Sequence, residues 1–276
     1  MTYLEEVTTM ALDATVQTVL WIGTALMTIG LLVFIYLTYT NSEENRHFYY
    51  ATSLVPLIAA SAYFAMATGH GSINVGGHVF FFARYIDWVF TTPLLLLDLA
   101  LLALPNVRGR LGLIGVLLGA DVYMILTGLI AGFLTGPDKY VWFATSTIAF
   151  FFILFVLVRL LGEARGRGGA VGKLFGNLAV LTIVLWTCYP IVWLLGTEGT
   201  GLLNIQVEVI LYMILDVSAK VGFGYLLLSN RAALTESSTA SASARGVAGN
   251  SVLKNLQANR PCYRKSANWH SFCFFR

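Results

Sequence analysis

The sequence predicts an all-α membrane protein, a bundle of seven transmembrane helices. Composition, the length of the apolar runs and the placement of basic residues carry that prediction. Hydrophobic residues make up 57% of the 276 and charged residues only 11%, with a mean hydropathy of +0.75. Such a chain buries its apolar surface in lipid rather than in a soluble core. Seven runs reach the roughly 20 apolar residues that a spanning helix needs. The breaks between them are short and marked by Gly, Pro and Asn, as in PNVRGR and TGPDK, which suits an up-and-down bundle. No run alternates in polarity or is as short as the roughly ten residues of a membrane-barrel strand, which excludes a barrel.

The first run, Thr18–Tyr39, and the second, Phe48–Thr68, carry no charge. The third, Val79–Leu104, contains RYIDWVFTTPLLLLDLALL, with Arg84, Asp87 and Asp98. The fourth, Leu111–Leu134, holds Asp121, while the fifth, Tyr140–Val158, and the sixth, Leu174–Leu195, are uncharged. The seventh, Val209–Leu228, holds Asp216 and Lys220. Between the runs, Arg46, Arg108, Arg110, Arg159, Arg165, Arg167 and Lys173 fall in the first, third and fifth connections, whereas the other three hold only Lys139. Basic loops stay in the cytoplasm, so the N-terminus is expected outside and the C-terminus inside, in a multi-pass protein of the cell membrane.

The opening MTYLEEVTTMALDAT has three acids and no base, unlike a secretory signal. Residues 1–228 are expected to form one transmembrane domain, and residues 229–276, with the Ser/Ala-rich TESSTASASARGVAGN, a disordered cytoplasmic tail. The net charge of +3 follows from the loop and tail bases and implies no nucleic-acid partner. Cys188, Cys262 and Cys273 have neither the spacing nor the compartment for a disulfide or a metal site. His70 and His78, flanking the Gly-rich second connection, read as solvated loop residues, and no metal is expected.

A charge at mid-membrane costs at least ~2.5–3.5 kcal/mol, so it normally faces the bundle interior and serves a purpose. Arg84 and Asp87, three apart, share a helix face. Asp98 follows eleven residues after Asp87, three turns plus ~20°, which sets it on that face ~16 Å nearer the cytoplasm. Asp216 and Lys220, at i and i+4, also meet on one face. Pairing for stability explains these charges poorly, because buried ion pairs stabilise less than apolar packing and Asp98 has no base at its depth. Lys220 is the only lysine in any run, and an amine in a low-dielectric bundle is a candidate for a Schiff base with a carbonyl ligand. The resulting cation needs a counter-ion, for which Asp87 and Asp216 are both available. Trp88, Trp142, Phe143, Trp186, Tyr189 and Trp193 are available to enclose a flat apolar ligand, although such aromatics more often serve packing.

Four of these stretches resemble helices of the microbial rhodopsins of bacteriorhodopsin type, which are retinal-binding, light-driven proton pumps: RYIDWVFTTPLLLLD, GADVYMILTG, LWTCYPIVWLLGTEG and LDVSAKVGFG. The resemblance covers nearly all of Thr18 to Leu228 and stops before the tail. It implies a bundle enclosing all-trans retinal, held by Lys220 as a protonated Schiff base. Asp87 matches the counter-ion that accepts the proton, Asp216 its companion, Asp98 the cytoplasmic donor and Arg84 the link to the outer surface. Asp121, Met124 and Gly128 would lie near the chromophore. Trp88, Thr92, Phe143, Ser146, Trp186, Tyr189, Pro190 and Trp193 would line its pocket, with Tyr63 and Tyr189 bonding Asp216.

Within that family, Asp87 argues against chloride pumping, which uses a neutral residue there, and Asp98 argues against a sensor. The sodium-pumping trio is absent. The resemblance therefore implies a photoactive proton translocator rather than an enzyme, with membrane lipids as partners, a homotrimer as the candidate assembly and no transducer. The alternatives are a sensory photoreceptor signalling to a membrane transducer and a retinal-free Schiff-base enzyme. Phe143 stands where the family has a second tryptophan on the polyene, and where carotenoid-binding relatives have glycine, so no antenna is expected. Two outer glutamates share a releasable proton in such pumps, and Glu198 matches the first. Aligning LNI gives Gln206 as the second, whereas counting eight back from Asp216 gives Glu208. Helical register favours Glu208, because a loop absorbs inserted residues and a helix does not.

Overall fold

Open backbone polar groups are intolerable in hydrocarbon, so each apolar run closes its own hydrogen-bond ladder as a helix. The computed structural model describes residues 12–40, 45–104 and 107–243. Among them are seven helices long and apolar enough to cross a membrane: α1 Ala14–Tyr39, α2 Arg46–Ala67, α3 Phe82–Ala103, α4 Leu111–Phe133, α5 Asp138–Arg167, α6 Gly169–Leu195 and α7 Ile205–Ser229. Helices consecutive in the chain pack together, and α7 also packs on α1, which closes a ring. Asp13 caps α1 by accepting from the amides of Thr15 and Val16 at 2.9 and 3.2 Å, and Asn204 caps α7 by accepting from Val207 at 2.9 Å.

The ring is apolar outside and charged inside. Ile29, Leu32, Ile148, Phe151 and Val184 are exposed on outward faces, a surface made for lipid. Arg84, Asp87, Asp98, Asp121, Asp216 and Lys220 are each no more than 2% exposed, which is where charges on spanning helices belong. Glycines set two of the closest approaches. A Cβ on Gly23 would overlap the ring of Tyr63, and one on Gly224 would lie 2.5 Å from the ring of Phe34 and 2.8 Å from Thr52 Cγ2. Around Lys220, α7 widens into a π-helical turn over Ser218–Gly222, a local insertion common at functional sites.

Three features differ from the sequence expectation. The second connection folds into a hairpin, with β1 Ile73–Val75 antiparallel to β2 His78–Phe80 and Val75 opposite His78. Gly76 and Gly77 turn it at φ +59° and +90°, so Val79 and Phe80 belong to a strand and α3 begins at Phe82. His78 is accordingly half-buried, with Nε2 out of solvent, while His70 is exposed. Helices α5 and α6 run further than their apolar runs, because residues such as Glu163 and Arg165 favour helix as well as apolar ones do. Finally, the tail expected to be disordered from residue 229 is helical over 231–243. Ala233, Leu234 and Ser237 recur at helical spacing and are buried, a periodicity that the Ser/Ala-rich composition hides. The acidic stretch before residue 12 and the end of the chain, with Cys262 and Cys273, lie outside the described residues.

Candidate functional site

At the centre of the ring Lys220 Nζ donates to Asp87 Oδ2 and, at 3.0 Å, to Asp216 Oδ1. Helix α3 supplies one carboxylate, and the i, i+4 spacing on α7 supplies the other. Asp216 is further held by Tyr63 Oη at 2.8 Å, Tyr189 Oη at 2.9 Å and Trp88 Nε1 at 3.2 Å. Four donors from α2, α3, α6 and α7 thus converge on it, three on Oδ1 and one on Oδ2, the kind of compensation a buried carboxylate requires. Asp87 is less occupied: its Oδ1 is buried and has no hydrogen-bond partner among the described residues.

A cavity runs from Lys220 between α3, α4, α5 and α6. Trp88, Thr92, Met124, Gly128, Phe143, Ser146, Trp186, Tyr189, Pro190 and Trp193 line it, together with Asp216 and Lys220. Its walls are aromatic and flat. Phe143 stacks on Trp193 with centroids 4.4 Å apart and planes 12° from parallel, and Trp193 Nε1 donates to Tyr85 Oη at 2.8 Å. Ser146 Oγ donates to the Met124 carbonyl at 2.7 Å, tying α5 to α4. Trp142 does not reach the cavity and is exposed on the outer face of α5. Asp121 lies just behind the lining, its Oδ2 receiving Thr92 Oγ1 at 2.7 Å.

Asp98 sits on the far side of the triad from Arg84, where Thr52 Oγ1 donates to its Oδ2 at 2.8 Å. Its Oδ1 has no partner among the described residues, and Leu95, Leu96, Leu99 and Leu102 around it are all buried. At the hairpin end, Arg84 lies 3.7 Å from Glu208 Oε1, with its guanidinium 4.1 Å from the centroid of the Tyr212 ring. Glu208 Oε2 accepts from Thr197 through the amide at 2.7 Å and the hydroxyl at 2.8 Å. Glu198, in the connection between α6 and α7, is 3% exposed. Burial and then the negative charge of Glu208 push its carboxyl up to about 8, against the opposing pull of Arg84 and Lys139. Burial, aided by Lys139, pushes His78 down from the usual imidazole value. Gln206 is half-buried, whereas Glu208 is 1% exposed.

Four contributors escaped the sequence reading: Thr52, Tyr85, Thr197 and Tyr212. Tyr212 was findable, being one turn before Asp216 on the same face. The others pair across helices or a loop and leave no spacing signal in the chain.

Known proteins resemble this chain in sequence and overall fold. A family profile described as "Bacteriorhodopsin-like protein" matches residues 14–234. The bacteriorhodopsin of Haloterrigena sp. (strain arg-4) is 48% identical over 231 residues, 81% of this chain and 91% of that protein. Archaerhodopsin-1 of Halorubrum ezzemoulense is 45% identical over 240 residues, 83% of this chain and 91% of its own. The crystal structure of thermophilic rhodopsin from Rubrobacter xylanophilus superposes with a TM-score of 0.79 at 51% identity, covering 81% of this chain and 99% of that one. The light-driven proton pump Coccomyxa subellipsoidea rhodopsin does so with a TM-score of 0.73 at 36% identity, covering 79% and 97%. The seven-helix ring, its buried lysine with two carboxylates and these similarities lead to one conclusion: this multi-pass membrane protein belongs to the bacteriorhodopsin-like family.

Proposed function

We propose that the protein is a light-driven outward proton pump, with all-trans retinal held on Lys220 as a Schiff base. The family implies a retinal chromophore, and the cavity suits one, being a slot between flat aromatic walls that ends at a buried amine. Lys220, Trp88, Trp186, Tyr189 and the Phe143–Trp193 stack would hold it. When bound, retinal supplies absorption of visible light and a change of shape that turns the nitrogen of Lys220.

The observation that carries this reading is the order of groups along α3: Arg84, beside Glu208, then Asp87, beside Lys220, then Asp98, bonded by Thr52. In the dark, the Lys220 cation and the carboxylates of Asp87 and Asp216 stabilise one another. Both oxygens of Asp216 already accept from donors, whereas Asp87 has one that does not, so the proton leaving the Lys220 nitrogen goes to Asp87. Asp98, among leucines and without a counter-charge, is held as the neutral acid, because an unpaired carboxylate is costly there. It returns a proton to Lys220 from the opposite side. Transport is vectorial because acceptor and donor flank one nitrogen. The distribution of loop bases puts the hairpin end outside, which makes the Glu198–Glu208 pair the site of release.

Cells expressing the chain with all-trans retinal are expected to acidify their medium on illumination. Asp87→Asn abolishes that signal and shifts the visible band to the red, because charge near the nitrogen loses its partner; normal pumping by this variant would place the acceptor elsewhere. Asp98→Asn leaves the colour nearly unchanged but slows the return of the proton to Lys220 and makes it depend on external pH, which flash spectroscopy reads; unaltered kinetics would remove Asp98 from the donor role. Burial, with Glu208 beside it, raises the Glu198 carboxyl to about 8, an apparent value of the pair, so the pair holds a releasable proton below about pH 8 and loses it above. A pH-indicator dye after a single flash should therefore show release before uptake at pH 7, with the early release fading as pH rises through about 8. Glu208→Gln should delay release until after uptake. Early release that persists in Glu208→Gln yet becomes late in Gln206→Ala would assign the site to Gln206 instead.

A further inference from the structure

The helix at residues 231–243 lies across the end of the bundle nearest Asp98. Asn230 joins it to α7: its amide donates to Leu227 O at 3.3 Å and its side-chain amide to Leu226 O at 2.6 Å, while its own carbonyl accepts from Ala233 and Leu234 at 3.1 and 3.2 Å. The thirteen-residue helix is about 20 Å long, enough to reach several neighbours, and it bonds to three. Asn45, at the start of α2, donates to Thr235 Oγ1 at 3.1 Å and accepts from Ser238 Oγ at 2.7 Å. Ser237 Oγ donates to the Leu101 carbonyl of α3 at 3.2 Å, one turn beyond Asp98. Glu236 Oε2 accepts from the Ala170 amide at 3.0 Å, at the N-terminus of α6. There Gly168 and Gly169 have φ +68° and +70°, and a Cβ on Gly169 would overlap the Glu236 carboxylate.

Beneath this helix Asp98 is 0% exposed. Ala233 and Leu234 belong to the same packed cluster as Phe48, Leu99, Leu102, Ala103 and Leu227, none of them more than 2% exposed. A proton from that side therefore reaches Asp98 only when these elements part. The backbone amide of Ala170 is an open donor at a helix start, and a carboxylate is a favourable partner for it.

We propose that residues 231–243 form a latch over the proton entrance, in which Glu236, as a positioning residue, holds the start of α6 against α2 and α3 and so sets the rate at which Asp98 is refilled. The inference rests on the reading of Asp98 as the donor. Glu236 is exposed, so its replacement spares the core. In the full-length chain, Glu236→Ala should speed dark hydrogen–deuterium exchange around Ala170 about fivefold, the worth of a carboxylate at a helix N-terminus. It should also speed flash-induced proton uptake by about the same factor, with transfer from Lys220 to Asp87 unchanged. Glu236→Gln keeps an accepting oxygen and should stay closer to the unaltered chain in both measurements. Unchanged exchange in Glu236→Ala would overturn the latch whether or not the protein pumps. Faster exchange with unchanged or slower uptake would overturn its control of refilling, and loss of all flash-induced uptake in the unaltered chain would overturn the donor reading on which that control rests.

Discussion

One buried cation shared by two carboxylates organises this molecule. Lys220 is 2% exposed, and Asp87 and Asp216 are 1% and 0% exposed. Bringing three charges into a low-dielectric interior costs several kcal/mol per ion unless partners replace the lost water. Every helix near the centre supplies part of that replacement. Tyr63 comes from α2, Trp88 and Asp87 from α3, Tyr189 from α6, and the π-helical turn of α7 carries Lys220 itself. The positions of α2, α3, α6 and α7 in the ring are thus tied to one electrostatic requirement. Gly23 then lets α1 approach close enough to pack directly on the ring of Tyr63.

The unequal treatment of the two carboxylates turns a structural ion cluster into a candidate proton device. Both oxygens of Asp216 accept from donors, while Asp87 keeps one oxygen without a partner among the described residues. On one side of them the chain collects charge, in Arg84, Glu198 and Glu208, and on the other it isolates a single acid among leucines. A symmetric arrangement would let a proton return the way it came. The asymmetry is built mostly on α3, whose eleven-residue spacing between Asp87 and Asp98 keeps both on the interior face at different depths.

Much of this was legible in the chain because spanning helices restrict what a charge can mean. Arg84 with Asp87 and Asp216 with Lys220 announced shared faces by spacing alone, and each of these residues is buried in the structure. Side chains that act across helices were not legible. Thr52 meets Asp98 from 46 positions away, and Tyr85 meets Trp193 from 108, distances that no local periodicity encodes. Trp142 shows the converse limit: composition made it a candidate wall, but its neighbour Phe143 points inward and it points out. The hairpin at His78 and the helix after Asn230 were missed because hydropathy registers only what lipid must accept.

In the proposed function, light is coupled to charge at Lys220. The direct measurement is the visible absorption of the Lys220→Ala chain after incubation with all-trans retinal. No visible band is expected, only the near-ultraviolet absorption of free retinal, in a chain that still inserts as seven helices. A visible band that persists in Lys220→Ala would contradict that role of Lys220.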